Sequence, residues 1–130
     1  MLGTFQQSSL RIEINATEQA LRDSLLCSYQ LRQWLPQKLS DGLPEELQVG
    51  TTFTSWLGPI AVQHQVDRVD STCVRFLLSQ GIDGFHEWHW GEGWIQSRLE
   101  GISLLPLNLG QTFSLLRLRQ FLATPHSESN

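Results

Sequence analysis

Residues 60–99 read IAVQHQVDRVDSTCVRFLLSQGIDGFHEWHWGEGWIQSRL, and the alternation within them decides the fold. Ile60, Val62, His64 and Val66 share one face of an extended chain while Gln63, Gln65 and Asp67 share the other, the pattern of a sheet covered on one side. Val74, Phe76 and Leu78 then oppose Arg75 and Ser79. His86, Trp88 and Trp90 oppose Phe85, Glu87 and His89, and Ile95, Ser97 and Leu99 oppose Trp94, Gln96 and Arg98. Turn signals at Gly58-Pro59, Asp70-Ser71, Asp83-Gly84 and Gly91-Glu92-Gly93 separate these runs. The period of two starts near Val49, so the region predicts an antiparallel meander whose inner face is rich in large aromatics.

Upstream, Leu10, Ile12 and Ile14 alternate with Arg11 and Glu13, which predicts one more half-buried strand. Asn15-Ala16-Thr17-Glu18 supplies a capping residue and a first-turn acid, and Leu21, Leu25 and Leu26 follow at helical spacing. This helix is expected to run to about Ser28, with a second short helix over Gln30 to Leu35 stopped by Pro36. Downstream of Pro106 a long helix is expected over residues 109–123, closed by Thr124-Pro125 and followed by a disordered polar tail, residues 126–130. Leu109, Phe113 and Leu116 make one apolar stripe of it, and Leu115, Leu118, Phe121 and Leu122 make a second on the opposite side. The reading sets Phe113 and Leu116 against the sheet and leaves Leu118, Phe121 and Leu122 as an outer docking stripe.

Composition narrows the class. The 130 residues are 40% hydrophobic and 17% charged, with 22 leucines, 13 glutamines and Lys38 as the single lysine, which describes one folded domain over residues 1–125. Net charge is −4 and the eight arginines are scattered from Arg11 to Arg119, so no basic patch offers itself to nucleic acid. The N-terminus lacks a basic region followed by an apolar core, and a cytoplasmic location is the expectation. Residues 101–116, the longest uncharged apolar stretch, are interrupted by Pro106, Asn108 and Gly110 and are too short to span ~30 Å of hydrocarbon. Cys27 and Cys73 lack metal-ligand spacing and are expected to be reduced thiols.

The order strand, two short helices, meander, long helix resembles the START-like, or SRPBCC, helix-grip superfamily. Its more specific part lies in Gln80-Gly81-Ile82-Asp83-Gly84-Phe85-His86-Glu87-Trp88-His89-Trp90 and in Leu104-Leu105-Pro106-Leu107 leading through Gly110, which look like the polyketide cyclase/dehydrase-like branch. The resemblance covers nearly the whole chain. It implies an α+β fold in which a curved antiparallel sheet of about six strands wraps a long C-terminal helix, with two short helices after the first strand. It also implies a deep apolar cavity between sheet and helix. Relatives of this branch often carry a threonine, an acid and an aromatic in register on the strand before the proline, and Ile95 to Ser103 departs from that pattern.

His64 is the ionisable residue that alternation places on an otherwise apolar inner face, beside Val62 and Val66. Its free pKa of about 6.5 suits it to general acid or base work or to a hydrogen bond with a ligand carbonyl. It equally fits a core histidine satisfied by a neighbour. Trp34, Val62, Phe76, Trp88 and Trp90, with Phe113 and Leu116, complete a wall suited to a flat or polycyclic ligand, although each ring equally fits a filled core. His86 and His89, three apart on a strand, point to opposite faces, so no metal site is expected, and no cofactor. Three functions remain open. One is a module that binds a small hydrophobic molecule, aromatic, polyketide-like or lipid-like. The second is a cyclase- or dehydratase-type enzyme in which His64 shuttles a proton. The third is an interaction module that uses the outer stripe of the last helix; under any of the three the chain is expected to be a monomer or a homodimer.

Overall fold

Residues 3–123 are described by the computed structural model, and Thr124, Pro125 and the tail at 126–130 lie outside them. Along the chain come β1 (Thr4–Glu13), α1 (Glu18–Leu26), α2 (Ser28–Trp34), β2 (Lys38–Leu39), β3 (Thr52–Leu57), β4 (Ile60–Asp70), β5 (Cys73–Gln80), β6 (Asp83–Gly91), β7 (Trp94–Ser103) and α3 (Leu107–Ala123). The strands form one seven-stranded antiparallel sheet in the order β1-β7-β6-β5-β4-β3-β2. β3 to β7 are the expected meander, and β1 closes it by pairing with β7 along its full length, from Thr4 opposite Ser103 to Glu13 opposite Trp94. The α+β helix-grip architecture is therefore observed, with one strand more than the sequence shows. That strand, β2, has two residues, too few to display a period, and is held by pairing with Ser55 and Trp56 of β3.

β1 also begins earlier than its apolar alternation, because Gln6 and Ser8 occupy its inner face. Gln6 takes part in seating α3: Leu107 N donates to Gln6 Oε1 at 3.1 Å, and Gln6 Nε2 donates to Leu105 O at 2.8 Å. Thr17 caps α1 by accepting from Ala20 N at 3.0 Å, and α1 and α2 break at Cys27, whose extended backbone separates them. A bulge between Val66 and Arg68 perturbs the β4–β5 ladder, a device that increases twist. At the β6–β7 hairpin Gly93 has φ of 81°, a conformation that glycine adopts without steric cost.

The seating of α3 corrects the sequence reading. Its buried stripe is Leu107, Gln111, Ser114, Leu115 and Leu118, whereas Phe113 and Leu116 are 54% and 53% exposed. Leu118, expected on an outer docking face, is 0% exposed, and Phe121 and Leu122 are half-buried and packed on the core. Both stripes of this helix are apolar, so hydrophobic periodicity cannot choose between them. The sheet makes the choice: β1 and β7 present acceptors that Gln111, on the inner stripe, uses. Among the described residues no helix is long and apolar enough to cross a membrane.

Candidate functional site

Between α3 and the concave face of β3 to β7 lies a cavity of about 180 Å³ walled by Leu57, Val62, Leu78, Ile82, Leu99 and Leu107. A second recess, about 40 Å³, lies among Trp34, Phe53, Phe76 and Trp88, under α1 and α2. Gln37, His64, His86 and Ser114 line both, so a belt of polar side chains stands between an aliphatic chamber and an aromatic recess. The belt comes from four places in the chain: the loop before β2, β4, β6 and α3.

Along one row of the sheet His64 lies opposite Leu78, Leu78 opposite Gly84, and Gly84 opposite Gly101. A Cβ on Gly84 would meet the Glu100 carbonyl and one on Gly101 the Asp83 carbonyl and Ile82, so the two glycines let the backbone of β6 and β7 close up there.

Each belt histidine is tethered by one nitrogen. Ser55 Oγ lies 2.9 Å from His64 Nε2, and Ser97 Oγ lies 2.7 Å from His86 Nε2. The His64 ring is stacked on Phe53, with centroids 4.6 Å apart and planes at 5°, and meets Phe76 edge-on at 5.9 Å. His86 lies 4.6 Å from the Trp88 ring, which in turn meets Trp34 edge-on at 6.0 Å. Trp34 is anchored by donating from Nε1 to Ser24 O at 2.8 Å. Gln111 completes the frame: its Nε2 donates to Ser97 O at 2.8 Å, to Ser97 Oγ at 2.9 Å and to Ser8 O at 3.2 Å, tying α3 to β7 and β1.

Burial pulls the His64 pKa down to about 4. Burial, with His64 adding to it, pulls that of His86 down to about 3. Both rings are neutral near pH 7, and among the described residues no charged side chain lines the chamber or the recess. The site therefore offers hydrogen bonds and apolar surface without net charge.

Of the residues singled out from sequence, Trp34, Val62, His64, Phe76 and Trp88 line the two spaces. Trp90 does not: it is buried at 1% exposure and belongs to the core beyond the recess. Phe113 and Leu116 do not either, because they lie on the opposite side of α3 from the cavity. His86 was legible as an inner-face residue, but its part in the belt was not. Gln37, Ser55, Ser97, Gln111 and Ser114 were missed. The available signal was the spacing of Leu107, Gln111, Ser114, Leu115 and Leu118, which forms one helical stripe with two polar members.

One cluster outside the cavity brings metal-ligating groups together. Cys73, Glu87 and His89 each offer a ligand atom within 4.8 Å of the others on the outer face of β5 and β6. His89, not His86, is the histidine involved. Glu87 already pairs with His89 at 3.0 Å, and two arginines oppose a cation there: Arg75 faces Glu87 across the ladder, and Arg98 lies 4.0 Å from it. Burial alone raises the Glu87 pKa, but the His89 hydrogen bond and the positive charges of His89, Arg75 and Arg98 outweigh it, so the net shift is downward. The carboxylate is neutralised by its own neighbours. Cys27 and Cys73 are both free.

No family profile matches the sequence, and no curated protein matches it. Solved structures do share its shape. Protein CV1439 from Chromobacterium violaceum superposes with a TM-score of 0.74 at 17% identity over 92% of this chain and 98% of its own. Ginseng major latex-like protein 151 from Panax ginseng gives 0.70 at 10% identity over 92% of this chain and 96% of its own. DynU16, a protein of the dynemicin biosynthetic locus, gives 0.68 at 16% identity over 91% of this chain. The chain spans 47% of the length of DynU16. The chain has the helix-grip fold that these proteins display.

Proposed function

We propose that this protein binds a small, largely apolar molecule in the cavity between the sheet and α3. The observation that carries this reading is an uncharged, mainly apolar cavity crossed by a belt of four polar side chains, the composition of a small-molecule site in which apolar walls supply affinity and a few polar groups set orientation. The size sets the scale of the occupant. A dry cavity of roughly 150 Å³ accommodates benzene, so about 180 Å³ suits one or two rings. Because Trp34 and Trp88 line the recess, tryptophan fluorescence titrated with small aromatic compounds reads occupancy directly. A saturable change is the expected result, and the absence of one across such a panel overturns the reading.

A cyclase- or dehydratase-type enzyme, with His64 as general acid or base, draws on the same cavity but on weaker chemistry. A catalytic acid or base works best with a pKa near the operating pH, whereas burial holds His64 near 4. The 2.9 Å contact between Ser55 and His64 has the separation of a nucleophile and its base, yet Ser55 is 0% exposed and among the described residues no carboxylate lines the cavity to orient the ring. Binding without turnover is the better-supported reading.

A further inference from the structure

Strand pairing gathers Cys73, Glu87 and His89 on the outer face of the sheet, away from the cavity. Cys73 lies directly opposite His89 in the β5–β6 ladder, and Glu87 precedes His89 by two residues, so all three side chains leave the same face. Both neighbours converge on one atom: Cys73 Sγ is 3.9 Å from His89 Nε2, and Glu87 Oε1 is 3.0 Å from it. The three ligand atoms lie within 4.8 Å of one another. In a tetrahedral zinc site, with Zn–S near 2.3 Å and Zn–N and Zn–O near 2.0–2.1 Å, neighbouring ligand atoms are about 3.3–3.6 Å apart. The two measured contacts bracket that range, so small side-chain rotations close the set around an ion.

Cys73 and Glu87 are buried, whereas the His89 side chain is 39% exposed, so the cluster opens to solvent on the imidazole side. The two arginines that oppose a cation there each have another carboxylate. Arg98 is 3.0 Å from Glu100, nearer than its 4.0 Å to Glu87, and Arg75 is 3.7 Å from Asp67. Both guanidinium groups also lie over the Phe85 ring, at 4.7 Å for Arg75 and 5.7 Å for Arg98. What holds Glu87 most closely is His89, and an ion seated between the two takes over that contact.

We infer that Cys73, Glu87 and His89 form a site for one zinc-class divalent ion, with the fourth position open to solvent beside His89. A thiolate, an imidazole and a carboxylate together select zinc over calcium and magnesium, which take oxygen ligands. On binding, the Cys73 thiol proton leaves to solvent, the His89 ring proton resides on Nδ1, and the Nε2 lone pair turns to the ion. The thiolate and the Glu87 carboxylate then offset its two charges. Three protein ligands leave a position that water fills, as in zinc sites that are not closed structural ones. The site is independent of the cavity and of the ligand-binding reading.

Titration of the metal-stripped full chain with Co²⁺, followed by displacement with Zn²⁺, tests the inference. The expected result is one equivalent bound, with the visible bands of tetrahedral cobalt and a near-ultraviolet thiolate-to-cobalt charge-transfer band, all removed by Zn²⁺ and untouched by excess Mg²⁺. Cys73→Ser is expected to abolish the charge-transfer band. Glu87→Gln and His89→Gln are expected to weaken binding by at least the loss that follows removal of an outer-shell partner, about 10–100-fold. Cys27→Ser, at the other thiol, is expected to change nothing. A wild-type protein without the charge-transfer band overturns the inference, and so does a band that survives Cys73→Ser or an unchanged affinity in His89→Gln. Circular dichroism of each variant separates lost binding from lost fold, and His89→Gln, made on a half-exposed side chain, decides the matter if Cys73→Ser does not fold.

Discussion

Gly84 and Gly101 face each other across the β6–β7 ladder, and the backbones there approach so closely that a Cβ on Gly84 would collide with the Glu100 carbonyl oxygen. Gly84→Ala is expected to destabilise the fold by about 3 kcal/mol, the upper end for overpacking, because the clash is with backbone that cannot rotate away. Gly110→Ala, where a Cβ meets nothing within 4 Å in the first turns of α3, is expected to stabilise by about 0.5–1 kcal/mol. Urea unfolding of both variants checks that one substitution has opposite signs at the two sites.

Acid should weaken the fold earlier than carboxylate titration alone would. His64 and His86 have native pKa values lowered to about 4 and about 3 from the ordinary value of 6.5, so between those limits the unfolded chain binds protons that the native chain does not. Stability is therefore full above about pH 6.5 and falls as pH drops through 6.5 toward 4, by roughly 1.4 kcal/mol per pH unit for each histidine. Unfolding free energy measured from pH 7.5 to 4.5 reads the slope. Replacing either histidine by Gln should remove about half of it, and an unchanged slope in both variants would show that neither is buried uncharged.

The two faces of α3 should respond differently to truncation. Leu115 and Leu118, at 2% and 0% exposure, are expected to cost about 2–5 kcal/mol each as alanine. Phe113→Ala and Leu116→Ala are expected to stay within about 0.5 kcal/mol. Leu118→Glu should unfold the protein rather than dissociate an oligomer. Thermal melting of the five variants decides it, and a reversed ranking would mean that the helix is seated the other way round.

Ser97 hydrogen-bonds both His86 and Gln111. Ser97→Ala leaves the His86 Nε2 unpaired and removes one of the acceptors that Gln111 uses, so a loss of about 1–3 kcal/mol is expected. The same variant removes the partner of the His86 ring, which a shift in its ring-nitrogen resonances would report. A stability loss without any change at His86 would assign Ser97 to the α3 anchor alone.

Alternation with a period of two is a local property of the backbone, which is why the β3 to β7 meander and the inner positions of Val62, His64, Phe76, Trp88 and Ile95 were legible residue by residue. The capping of α1 by Thr17 and the end of α2 near Pro36 were legible for the same reason, since each depends on neighbours within a few residues. What lay beyond the sequence was every choice between equivalent local solutions. α3 carries two apolar stripes, and only the sheet it packs against, with partners for Gln111 on β1 and β7, selects the one that faces inward. Trp90 and Trp88 share a face, yet one fills core and the other lines the recess, because strand pairing places them at different depths. The belt joins residues 37, 64, 86 and 114, whose meeting depends on the strand order and on the packing of α3 across the sheet. Local sequence determines which way a side chain points along its own element, whereas the neighbours it meets there are set by long-range pairing that the tertiary structure alone supplies.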